Sequence, residues 1–216
     1  MKGVIFDWDG VVIDSAPQHE RSWEILAAEA KKSLPEGHFQ KGFGKKNHEI
    51  ISKILQWSSD SDEVANLGVR KEEIYRELVR EQGVRILPGA RDLLQSLREE
   101  NIPRALGSST PWSNLEALFA TTSLGEMFDA VVCGDDVTHG KPAPDVFLLA
   151  AQRLRISPGE CVVIEDAHVG IEAAHRAGMK VLAVATTHSL SELGGADAQV
   201  ASLEEVDAAF LRGLLA

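Results

Sequence analysis

Short apolar runs rich in β-branched residues recur along the chain, separated by polar stretches of helical length. "GVIFD" (3–7), "PRALGS" (103–108), "AVVCG" (130–134), "CVVIED" (161–166) and "KVLAVAT" (180–186) have the length and bulk of strands buried on both faces. Strands that alternate with helices predict an α/β fold: a largely parallel sheet with helices on both faces. In such sheets the functional crevice lies beyond the carboxyl ends of the strands. Each run except "KVLAVAT" ends in, or is soon followed by, polar residues suited to chemistry.

One segment breaks the alternation. Residues 16–83 hold no strand pattern and show helical spacing instead, as in Trp23, Leu26, Ala27 and Ala30, then Ile50, Ile51, Ile54 and Leu55. The spacing predicts an inserted helical domain, entered at "DSAP" and left at "EQGVRILPG", where Gly83, Pro88 and Gly89 supply turn chemistry. Residues 1–15 and 84–216 then form the α/β core.

Composition narrows the possible roles. A chain of 216 residues, 44% hydrophobic, can bury one core and a smaller domain beside it. No apolar run approaches the roughly 20 residues of a membrane helix. The first residues read directly into strand, so the expected location is cytoplasmic. Cys133 ends one apolar run and Cys161 begins another, which predicts buried thiols rather than metal ligands or a disulfide. The net charge of -11 argues against nucleic acid or an anionic membrane as partner. Residues 16–83 are almost neutral, so the acidity belongs to the core.

Carboxylates crowd the strand ends. Asp7 and Asp9, with Asp14 close behind, follow the apolar Val4-Ile5-Phe6. Such crowding resists burial unless positive charge compensates it. Residues two apart in extended chain face the same side, so Asp7 and Asp9 are expected to share a divalent cation while Trp8 points away. Glu165 and Asp166 end another strand and can complete a ligand set; taken alone, they could be a helix cap. Ser108, Ser109 and Thr110 stand where hydroxyls and N–H groups of an incipient helix would bind an anion. In "HGKPAPDVF", prolines on either side of Ala143 aim Lys141.

The order acidic pair, Ser/Thr, Lys, acidic pair resembles the haloacid dehalogenase superfamily, in the group of β-phosphoglucomutase and small sugar-phosphate phosphatases. "DWDGVVIDS", "GSST", "GKPAPDVF" and "IEDAHVGIEAAHRAGM" are similar to its four motifs. The resemblance implies a Rossmann-like core, a helical cap that closes over the strand ends, and a small phosphorylated metabolite as substrate. It implies Asp7 as nucleophile through an aspartyl-phosphate, and Asp9 as general acid and base. Ser108 and Lys141 would bind phosphoryl oxygens, helped by the Ser109 backbone. Mg²⁺ would be held by the Asp7 side chain, the Asp9 backbone carbonyl and Asp166, with Glu165 nearby. By the same resemblance the Lys141–Pro142 peptide is expected to be cis.

A carboxylic acid at Asp9 favours phosphoryl transfer over dehalogenation, because a halide leaves without a proton. In the cap, His19 and Lys71 match positions that help closure and place Asp9; the alternative is that both are solvated helix residues. Where a phosphosugar mutase carries an arginine for a distal phosphate, this chain has Asn47, with Lys45 and Lys46 just before it, which weakens the mutase alternative. Ser15 replaces the threonine expected at the hinge. A phosphoacceptor receiver domain shares the residue types, but places its acidic pair first and lacks the insertion at 16–83. Oligomeric state is open.

Overall fold

The computed structural model describes residues 1–42 and 45–215. The chain divides into two compact units, Met1–Asp14 with Val84–Ala216, and Ser15–Gly83.

All strands lie in the first unit: β1 (Gly3–Phe6), β2 (Ile13–Asp14), β3 (Arg85–Ile86), β4 (Arg104–Gly107), β5 (Ala130–Val132), β6 (Cys161–Glu165), β7 (Lys180–Val184) and β8 (Ala198–Val200). Six form a parallel sheet in the order β5-β4-β1-β6-β7-β8. Phe6 of the central β1 lies opposite Leu106 and Ile164, so the adjoining strands end level with it. The Asp7 N–H donates to the Ile164 carbonyl at 3.0 Å and the Ser108 N–H to the Val132 carbonyl at 3.0 Å, which ties the first residues past the sheet into the same frame.

Two features escape the hydrophobic pattern. Edge strand β8 is only "AQV", and the antiparallel pair β2–β3 joins Ile13 to Ile86 and Asp14 to Arg85. This pair ties the chain where it leaves the first unit to the chain where it returns. Two-residue strands carry too little periodicity to be seen in sequence.

The second unit is helical: α1 (Ala16–Ala30), α2 (His38–Gly42), α3 (Asn47–Glu49), a π turn at Ile50–Ile54, and α4 (Ser61–Gln82). Pro17 suits the first turn of α1, where an N–H would lack a partner. Asp60 caps α4 by accepting from the Asp62 and Glu63 N–H groups, and Gly83, at φ 72°, ends it. Helix α4 buries Val64, Lys71, Ile74, Tyr75, Leu78 and Val79 at helical spacing, and α1 buries Trp23, Leu26 and Ala27. Trp23 and Trp57 meet edge to face at 6.1 Å in this unit's own core.

In the first unit, α5 (Ala90–Glu99), α6 (Trp112–Thr122), α7 (Asp145–Leu154), α8 (His168–Arg176) and α9 (Ala208–Gly213) surround the sheet. Ile5, Val163 and Val181 face a core that includes Phe147 of α7 and Ile171 of α8. On the opposite face Phe6 meets Phe128, and Trp8 meets Phe119 of α6. Both cysteines are free and buried. Among the described residues no helix is long and apolar enough to cross a membrane.

Candidate active site

Asp7, Ser108 and Glu165 stand at the carboxyl ends of β1, β4 and β6, brought level by the parallel register. The strand-like run "AVVCG" that precedes Lys141 does not carry it at its end. Lys141 comes from the loop between β5 and α7, where the Lys141–Pro142 peptide is cis. Its Nζ lies 2.7 Å from Asp7 Oδ1 and 2.6 Å from Glu165 Oε1, and 4.7 Å from the centre of the Phe147 ring. Burial by itself would depress the Lys141 pKa, but the two carboxylates outweigh it and hold the ammonium above its ordinary range.

Glu165 is fully committed. Oε1 accepts from Lys141, while Oε2 accepts the N–H groups of Asp166 at 2.7 Å and Ala167 at 2.8 Å. A Cβ at Gly170 would overlap this carboxylate, so the glycine lets α8 begin directly against it. Asp166 accepts from the Thr187 hydroxyl. Gly10, at φ +79°, is equally constrained, because a side chain there would enter the Asp166 carboxylate.

Oxygens of Asp7, Glu165 and Asp166 all lie within 4.8 Å of one another. Burial, then the neighbouring carboxylates, raises the Asp166 pKa well above its ordinary value. Burial, opposed by Lys141 and assisted by Glu165 and Asp9, pushes Asp7 up to about 7. A buried set of hard oxygen donors with more negative than positive charge fits Mg²⁺ in donor type and in charge.

The Asp9 carboxylate departs from the expectation of a shared cation. Strand β1 ends at Phe6, and the Val12 and Ile13 N–H groups donate to the Trp8 carbonyl. Asp9 Oδ2 instead accepts the Thr110 hydroxyl at 2.6 Å. The Thr110 N–H donates to Ser108 Oγ at 3.0 Å, which links Asp9 to the buried Ser108. Ser109 is exposed. Asp14 stands apart, paired with Arg85 at 2.6 Å.

Sequence reasoning set "KVLAVAT" aside as chemically silent, yet Thr187, just past β7, orients Asp166. Hydroxyls after a strand were the available signal, as in the Ser108–Thr110 run.

In the second unit, Lys71 is buried and His19 half-buried, and the two meet. Lys71 Nζ lies 2.6 Å from His19 Nδ1 and 3.0 Å from Glu72 Oε1, and Asn47 Nδ2 donates to that same Glu72 oxygen at 2.8 Å. Since an ammonium only donates, Nδ1 accepts and the imidazole is neutral. Burial, then the charge on Lys71, lowers the His19 pKa to about 3. The ring stacks on Tyr75 at 3.9 Å. Glu72 thus joins three of the cap residues singled out in sequence, and was itself missed. Lys45 is exposed, and its charge is felt at Glu49.

Comparison with known proteins agrees with this geometry. The family model of the haloacid dehalogenase-like hydrolases matches residues 1–178. The chain is 38% identical over 215 residues to the chloroplastic 5-amino-6-(5-phospho-D-ribitylamino)uracil phosphatase of Arabidopsis thaliana, covering 98% of this chain and 57% of that protein. It therefore spans little more than half of that relative's length. It is 35% identical over 192 residues to the fructose-1-phosphate phosphatase of Escherichia coli, covering 84% of this chain and 95% of the relative. A solved HAD hydrolase, family IA, variant 3, from Entamoeba histolytica superposes with a TM-score of 0.91 at 27% identity, over 100% of this chain and 99% of that one. With the four motifs gathered at one end of a parallel sheet and the family model covering most of the chain, this protein belongs to the haloacid dehalogenase-like hydrolases.

Proposed function

We propose that this hydrolase releases phosphate from small phosphorylated sugars or polyols through an aspartyl-phosphate on Asp7. It is a phosphoric monoester hydrolase of its family. The observation that carries the chemistry is the clasp of Lys141 on Asp7 and Glu165 at the end of three level strands.

An Asp7 oxygen attacks phosphorus as the bond to the leaving oxygen breaks, and Asp9 delivers a proton to that oxygen. Asp9 then takes a proton from water, whose oxygen attacks the phosphoryl group and frees Asp7 and inorganic phosphate. Lys141 and Ser108 stabilise the phosphoryl oxygens, with the Ser109 N–H. Glu165 holds Lys141, and Thr110 holds the Asp9 carboxylate. Mg²⁺ would be held by Asp7, the Asp9 carbonyl and Asp166, with Glu165 nearby, and would supply charge neutralisation between carboxylate and phosphate.

The substrate class follows from the relatives, whose names place phosphate on a ribityl chain and on a ketose. The helical unit selects among such substrates, through Lys45 and the network of His19, Lys71 and Asn47. Asn47 offers no bidentate fork for a second phosphate, which favours hydrolysis over a mutase reaction. A panel of sugar and polyol phosphates with Mg²⁺, including both named substrates, tests the assignment by phosphate release. Turnover of at least one member, lost in Asp7→Asn, is expected; no release from any, or full activity in Asp7→Asn, overturns it.

A further inference from the structure

Two imidazoles that the phosphatase chemistry does not use stand beside the acidic cluster. His168 opens α8, two residues beyond Asp166, and is exposed. His188 is half-buried and directly follows Thr187, whose hydroxyl donates to Asp166. Their ring centres are 5.2 Å apart with planes tilted by 47°. This is not a stack like that of His19 on Tyr75, at 3.9 Å and 10°.

Two imidazoles that bind one tetrahedral ion through nitrogens at about 2.0–2.1 Å hold their ring centres about 5 Å apart. The observed separation is therefore already that of a chelating pair. A negative charge stands close by: Glu192 Oε2 accepts the N–H and hydroxyl of Ser189 at 2.9 and 2.6 Å. These bonds hold its carboxyl below the usual range.

Donor chemistry separates this pair from the acidic cluster. Three carboxylates suit a hard ion such as Mg²⁺, whereas imidazole suits borderline ions such as Zn²⁺. We propose that His168 and His188 form a second metal site, a two-imidazole chelate for Zn²⁺ or a similar transition-metal ion, completed by water. If the phosphatase reaction proposed above holds, the site has a consequence for it. A bound ion ties together the chain segments on either side of Asp166's hydrogen bond to Thr187, so Zn²⁺ inhibits turnover even in saturating Mg²⁺.

Calorimetric titration of the full chain with Zn²⁺ in saturating Mg²⁺ tests the site without reference to activity. Wild type is expected to bind one equivalent. His168→Ala and His188→Ala should each weaken binding by at least about tenfold, while Asp7→Asn retains it. Wild-type affinity in either histidine variant overturns the site, as does no uptake by wild type, or binding lost in Asp7→Asn but kept in the histidine variants. If phosphate release is measurable, Zn²⁺ should inhibit wild type and spare both histidine variants. If no substrate is turned over, the titration still decides the metal site.

Discussion

Lys141 and Lys71 are both almost inaccessible, with side-chain exposures of 6% and 3%, yet they keep opposite company. Lys141 faces Asp7 and Glu165, with Asp166 in the same group of carboxylates. Lys71 meets the Glu72 carboxylate, a neutral imidazole, and the faces of Trp23 and Tyr75 at 5.5 and 5.2 Å. In the α/β unit negative charge exceeds positive, and the carboxyls respond: Asp7 rises to about 7 and Asp166 well above its usual range. In the helical unit the imidazole gives way instead, falling to about 3. One cluster gathers three carboxylates around a single ammonium, an excess of negative charge that fits a hard cation. The other places an ammonium against a carboxylate and aromatic faces, which balance its charge in place.

The strongest test of this contrast is the nucleophile. Asp7→Asn is nearly isosteric and removes like-charge repulsion, so turnover should fall by about 10⁴ or more with the fold intact. Asp9→Asn should still be phosphorylated by an aryl phosphate, which leaves without much help from an acid. An acid-stable, base-labile adduct should then accumulate in Asp9→Asn and never in Asp7→Asn, as read by mass spectrometry after a quench. A phosphoryl group mapped to any other residue would remove Asp7 from its role.

The lysines come next. Lys141→Met should lower kcat/KM by about 10²–10³, because it removes a preorganised charge from the developing transition state. Lys71→Met should cost about 1–3 kcal/mol in urea unfolding by stranding Glu72, and leave the Mg²⁺ requirement of turnover unchanged. A shifted Mg²⁺ requirement in Lys71→Met would break the contrast between the two units.

Proton linkage sharpens it. Without metal, folded Asp7 keeps a proton that the unfolded chain releases near its ordinary pKa of 3.8, so its contribution to stability falls as pH rises from there through about 7. At pH 8 metal-free Asp7→Asn should therefore melt above wild type, by a margin of about 2–4 °C for roughly 1 kcal/mol. Mg²⁺ should close that gap. His19 has the opposite dependence: its depressed pKa gives stability that is present above about 6.5 and lost as pH falls toward about 3. His19→Phe, which keeps an aromatic ring against Tyr75, should flatten that acid limb in a pH series of melts.

The smallest effect belongs to the third aspartate of the opening motif. Asp14 is bonded to a largely exposed Arg85, so Arg85→Ala should cost no more than about 0.5 kcal/mol and leave kinetics unchanged. A change in KM would place Asp14 in the site after all.

Much of this organisation was legible because it is written in periodicity and residue type. Five buried runs announced the strands, helical spacing set residues 16–83 apart, and Asp7, Asp9, Lys141, Glu165 and Asp166 stood out because carboxylates and an ammonium beside buried strands require an explanation. The donors that fine-tune them were not legible. Thr110 and Thr187 are ordinary residues in sequence, and they matter because folding brings one hydroxyl to Asp9 across 101 positions and the other to Asp166 across 21.

The chain alone therefore determined the α/β class, the helical insertion and the set of acidic, basic and hydroxyl groups, since hydrophobic spacing and side-chain chemistry are local properties. Tertiary structure decided how those groups are shared. It sent Asp7 to Lys141 and Asp9 to Thr110. It committed both Glu165 oxygens, brought His19 against Lys71, and left Asp14 outside the cluster. The physical reason is range: a charge or hydrogen bond acts over a few ångströms in space, and the parallel register and loop returns alone set which distant residues come within that reach.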